Sequence, residues 1–115
     1  MLYTHIHEYL LRVCFFLSIF VIKKMVKEVE KTVCLLYGIT VEDMRNGGSK
    51  KIPSSARAMT WYILHCVFSI SSNSIAREYC RTPRGVKMTI AKFKFQLSYD
   101  KQLNDIYSRA LKTLN

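Results

Sequence analysis

The chain has 115 residues and a formal charge of +10, and half of its residues are apolar. That length supports a single core and excludes two independent ones. Residues 45–94 hold ten Lys and Arg against the single acid Glu78, with nearly neutral flanks, which excludes a uniformly cationic surface and points to a polyanionic partner, either nucleic acid or an anionic membrane.

Residues 10–22, LLRVCFFLSIFVI, form the most apolar stretch and run into Lys23 and Lys24. The stretch is shorter than the roughly 20 apolar residues that a spanning helix needs, and it contains Arg12. Its basic residues lie mainly after the apolar run, and no small-residue cleavage site follows, unlike a signal peptide. Residues 1–24 therefore read as an apolar extension, an upstream mis-start or an extra helix, with Met25 opening a helical domain over 25–115. Weak membrane contact through 10–22 is the alternative expectation for function.

Cysteines 14, 34, 66 and 80 form no CxxC pair and have mostly apolar neighbours, so all four are expected as reduced core thiols. His5, His7 and His65 fall at no metal-ligand spacing from them, and neither a metal nor a cofactor is expected. Paired carboxylates, a Cys/His dyad and a GxxxxGK[ST] phosphate loop are all missing from the sequence, so no enzymatic activity is expected.

From 26 to 37, apolar residues at Val26, Val29, Val33 and Leu36 make one face of an amphipathic helix, with Lys27, Glu28, Glu30 and Lys31 elsewhere. Gly38 closes it, and Thr40 with Asp43 three residues on opens a short second helix. NGGSKKIPSS (46–55) reads as loop. A third helix over 56–70 points Met59, Tyr62, Ile63, Cys66 and Val67 to the core, and serines 71 and 72 offer the cap of a fourth over about 73–80. Trp61, Tyr62 and Tyr79 are expected in the core. The last helix, from Ser98, packs through Tyr99, Leu103, Ile106 and Ala110.

Between the fourth helix and the next lies Arg81-Thr82-Pro83-Arg84-Gly85. A Thr cap followed by Pro at the first helical position starts a helix, since the missing proline N–H had no partner to lose. On a helical wheel Val86, Ile90, Phe93 and Leu97 share one side, while Arg84, Lys87, Met88, Ala91 and Lys92 face away. Cys80, where a glycine is common, would resist a left-handed conformation. The predicted architecture is a small all-α bundle containing a helix-turn-helix, a unit whose second helix enters the DNA major groove.

EKTVCLLYGITVEDMRNGGSKK (30–51) resembles the start of the C-terminal DNA-binding domain of the bacterial replication initiator DnaA. Arg57 falls at that family's arginine heading the third helix, with Ala58 in place of the glutamine after it. SIAREYCR (74–81) is similar to the family's Glu-Ile-Gly-Arg-Ala-Phe-Gly-Arg, and Val86 matches the valine of its recognition helix. Over about 26–97 the resemblance implies the fold, the docking mode and a DNA contact for Arg57. The family's base-reading His and Thr are replaced by the Thr82-Pro83-Arg84-Gly85-Val86 run, and its ATPase part has no counterpart.

The resulting expectation is a double-stranded-DNA-binding protein, cytoplasmic and nucleoid-associated. Lys50 and Lys51 would follow the backbone, and Arg57 would reach phosphate or minor groove. Arg81, Thr82 and Arg84 in the turn would meet phosphate or base, and Lys87, Met88, Ala91 and Lys92 would face base edges.

Overall fold

A computed structural model describes the backbone from residue 2 to 115 and the side chains from residue 19 onward. It is all-helical among the described residues: α1 (Leu2–Tyr37), α2 (Val41–Asn46), α3 (Lys51–Cys66), α4 (Ser72–Tyr79), α5 (Pro83–Leu97) and α6 (Lys101–Leu114). The helix expected from Val26 has no boundary there. Neither Gly nor Pro occurs before Gly38, so nothing interrupts α1 between Leu2 and Tyr37. Most of the apolar stretch 10–22, on which the membrane expectation rested, lies outside the described side chains. Among the described residues no helix is long and apolar enough to cross a membrane.

Each helix end has a local cause. Gly38 at φ +71 lets the Ile39 amide turn back to Cys34 O at 3.1 Å, ending α1. The Thr40 hydroxyl accepts from Asp43 N at 3.0 Å, Ser71 Oγ from Ser74 N at 3.1 Å, and the Asp100 carboxylate from Leu103 N at 3.1 Å. The loop expected over 46–55 is shorter, because α3 already begins at Lys51. Pro53 lies in its first turn, where a missing N–H costs nothing. Gly47 is fixed by close approach: a Cβ there would come within 2.4 Å of Asp43 O and 2.5 Å of Pro53 Cβ. At its other end α3 stops at Cys66 rather than at 70. Ser69 takes φ +57, Ile70 N returns to Leu64 O at 3.0 Å, and Ile70 is buried.

The third helix is the centre of the packing and touches α1, α2, α4 and α5; α6 lies against α1 and α5. Met59, Ile63 and Leu64 of α3 are fully buried with Val26, Val29 and Val33 of α1, Met44 of α2, Ile75 of α4, and Val86 and Phe93 of α5. Each such side chain contributes about 1.5–3 kcal/mol. That far exceeds the exposed Asp105–Arg109 pair on α6, which is of the kind worth about 0.3–0.5 kcal/mol. Three core expectations are corrected. Cys66 and Val67 are exposed and Tyr99 is 63% exposed, because α3 ends earlier and α6 starts later than the apolar spacing suggested; Cys80 is exposed because it sits in the turn after α4. Cys34 is buried as a free thiol, and Cys14 lies outside the described side chains.

Candidate nucleic-acid interface

Helices α4 and α5 are joined by only Cys80, Arg81 and Thr82. Cys80 adopts φ 53 and ψ 46, the left-handed conformation it was expected to resist. A non-glycine residue there costs about 1–2 kcal/mol. The amides of Cys80 and Arg81 both bond to Ala76 O, the latter at 2.9 Å, and these bonds hold the turn against that cost. Thr82 then caps α5 by accepting from Gly85 N at 3.1 Å, which leaves its hydroxyl proton free to donate outward. Ala76 is buried and small, so α4 meets the Val86, Ile90 and Phe93 face of α5 closely.

The opposite face of α5 is open. Arg84, Lys87, Met88, Ala91 and Lys92 are all exposed, as are Lys50, Lys51, Arg81 and Thr82. No acid occurs between Glu78 and Asp100, so nothing on the helix itself neutralises this face. A shallow cleft at the start of α5 is lined by Arg81, Thr82, Gly85 and Thr89. A second, lined by Lys51, Ser54, Thr89, Lys92 and the acid Asp100, runs between the head of α3 and α5. Thr89 borders both, so the two clefts adjoin, with Arg81 on the first and Lys51 and Lys92 on the second. Neither the stretch of loop nor the wheel alone implied that Lys51 and Lys92 would meet.

Arg57 is corrected. It is buried, and its guanidinium donates to Met44 O and to Gly48 O, both at 2.8 Å. It therefore fastens the end of α2 and the glycine loop to α3, and it is not placed to reach a phosphate. Burial, and then the nearby Arg81 charge, pull its pKa below the ordinary arginine value. It thereby fixes the glycine loop that leads into Lys50 and the start of α3 at Lys51.

A second inward cation was not anticipated at all. Arg45 Nε donates to Glu30 Oε2 at 2.7 Å and its Nη2 to Oε1 at 3.0 Å, a two-pronged pair, while Nη1 reaches Glu78 O at 3.3 Å. The Tyr79 hydroxyl donates to Glu30 Oε2 at 2.8 Å, and the Arg45 guanidinium lies 4.3 Å over the Tyr79 ring. Burial, reinforced by Glu30, holds the Tyr79 phenol well above its ordinary pKa. This cluster ties α1, α2 and the last turn of α4 together immediately before Cys80. With Arg45 and Arg57 turned inward, eight of the ten cations between 45 and 94 remain exposed.

Sequence reasoning also passed over Phe95. It follows Ala91 by four residues and Arg84 by eleven, which places it in the middle of the outward face, and it is 69% exposed. No protein-family model matches the chain, and no curated protein matches it.

Proposed function

We propose that this chain binds double-stranded DNA, with α4 and α5 serving as a helix-turn-helix and α5 entering the major groove. The observation that carries the reading is the division of α5 along its length: Val86, Ile90 and Phe93 are buried, and Arg84, Lys87, Met88, Ala91 and Lys92 stand exposed in a stretch without acids. A rigid rod with one cationic side is what a groove lined by phosphates accommodates. The similarity of 26–97 to the initiator's DNA-binding domain supports the same docking mode.

In this reading Arg81, Thr82 and Arg84 meet phosphates or the first bases at the entry of α5. Lys87, Met88 and Ala91 face base edges, where lysine favours guanine and alanine accommodates a thymine methyl. Lys92, with Lys51 across the cleft between α3 and α5 and Lys50 next to it in sequence, follows the backbone. The His and Thr that read the initiator's box are replaced here, so the preferred site is a property of this chain's own side chains. A labelled duplex titrated with the protein tests the reading. Affinity should fall steeply with salt, and Arg84→Ala combined with Lys87→Ala should abolish binding while the helical circular dichroism is retained. Unchanged affinity in that double variant would overturn it. Selection of bound duplexes from a random pool then gives the preferred site.

A further inference from the structure

The exposed apolar side chains of α5 are not scattered. Met88 is 63% exposed and Phe95 69%, and their spacing of seven residues continues the stripe that begins at Arg84; Tyr99, 63% exposed, lies in the turn just past the end of α5. Phe95 and Tyr99 touch, with ring centroids 5.4 Å apart and planes at 68°. Two large rings held side by side in solvent are unusual in a chain that buries Trp61 and Tyr79. Lys92 and Lys94, both exposed, lie within three residues of Phe95, and Asp100 follows Tyr99.

Distance along the helix separates these rings from the residues that would face base edges. The N-terminal residues of a groove-entering helix are the ones that meet base edges, and Phe95 stands about 16 Å along α5 from Arg84 at 1.5 Å per residue, with Tyr99 past the helix end at Leu97. They would therefore reach the margin of a duplex that α5 enters, past its stacked interior. An exposed aromatic pair with two lysines close by in sequence suits a nucleobase that has left the stack, because every base has a π face and a phosphate beside it. A second copy of this chain is a poorer fit, since pairing two such faces would bring their lysines together.

We propose that Phe95 and Tyr99 form a stacking platform for an unpaired nucleobase next to the duplex held by α5. The inference rests on the DNA-binding reading above and adds to it a preference for duplex that adjoins single strand.

The test uses the full chain and two labelled probes, a blunt duplex and the same duplex with a single-stranded thymine overhang. The overhang should bind roughly tenfold more tightly. Phe95→Leu combined with Tyr99→Leu should bring the overhang down to the blunt value and leave blunt binding unchanged, because leucine keeps the apolar surface and the helix but removes the rings. Blunt binding without any overhang preference would overturn the platform alone and leave the DNA reading standing. Equal weakening of both probes by the leucine pair would also overturn it, as would a loss of self-association or of partition into anionic phosphatidylserine vesicles with the overhang preference intact. Binding to neither probe would overturn both readings.

Discussion

Glu30 lies on the apolar side of α1, four residues after Val26 and one after Val29, and it is buried to 2%. A carboxylate in that stripe is tolerable only with partners, and Arg45 and Tyr79 supply them. The expectation that Glu30 lies off the apolar face is corrected: this spacing from Val26 and Val29 puts it beside the buried stripe, where a charge needs a partner. Its partners, 15 and 49 residues away, were not legible in the sequence, since nothing local couples them. Glu30→Gln should cost about 2–3 kcal/mol in urea unfolding, below the range for a fully buried pair because Arg45 keeps a third of its side chain in water. Tyr79→Phe keeps the ring under Arg45 and loses only the hydroxyl, so it should cost about 1.5 kcal/mol. Alkaline pH acts through the same neighbourhood. Burial raises the Cys34 thiol from 9.0 to about 11, with Glu30 and Asp43 adding to the shift, and Tyr79 is raised above 10.0 for similar reasons. Both groups are neutral when folded and ionise sooner when unfolded. The Cys34 contribution is therefore complete below about pH 9 and is lost as pH rises through 11, while that of Tyr79 is complete below about pH 10 and is lost progressively above it as the unfolded phenol ionises first. Melting temperature followed from neutral to alkaline pH should decline in that window, and less steeply in Tyr79→Phe.

The α4–α5 pair shows how far local rules reach. The Thr82-Pro83 start, the inward Val86, Ile90 and Phe93 and the outward Arg84, Lys87 and Met88 all follow from capping chemistry and a 3.6-residue period. Cys80 does not, because its left-handed backbone is imposed by the return of two amides to Ala76 O, a feature of the closed turn rather than of cysteine. Cys80→Gly should accordingly stabilise the protein by about 1 kcal/mol, the relieved strain being partly offset by the freer unfolded chain. Thr82→Ala should lower stability by about 1 kcal/mol through the lost cap. Thermal melts of the two variants should move in opposite directions. A second failure of local reading occurred at the ends of α3: proline and serine suggested loop at 51–55, yet a first turn accepts both.

Across the whole molecule, composition overstated the usable charge. Ten cations between 45 and 94 suggested a uniformly basic module, but Arg45 and Arg57 are structural. The cleft that brings Lys51 and Lys92 together exists only because α3 packs against α5, so no stretch of sequence displayed it. If about five phosphates are neutralised by the remaining lysines and arginines of this face, the logarithm of duplex affinity should fall with the logarithm of salt at a slope of about −4 to −5. Anisotropy titrations over a salt series measure that slope, and a slope near zero would sink the assignment of this face. The guanidinium of Arg57 bears on the same measurement from inside. It is held by two carbonyl oxygens, with no carboxylate beside it among the described residues, and Arg81 is close enough to depress its proton affinity. Two like charges thus lie near each other across the seam between α3 and the turn. An anion docked at Arg81, as the proposed DNA reading has it, would relieve that repulsion, and a buried cation would then favour a ligand it never touches.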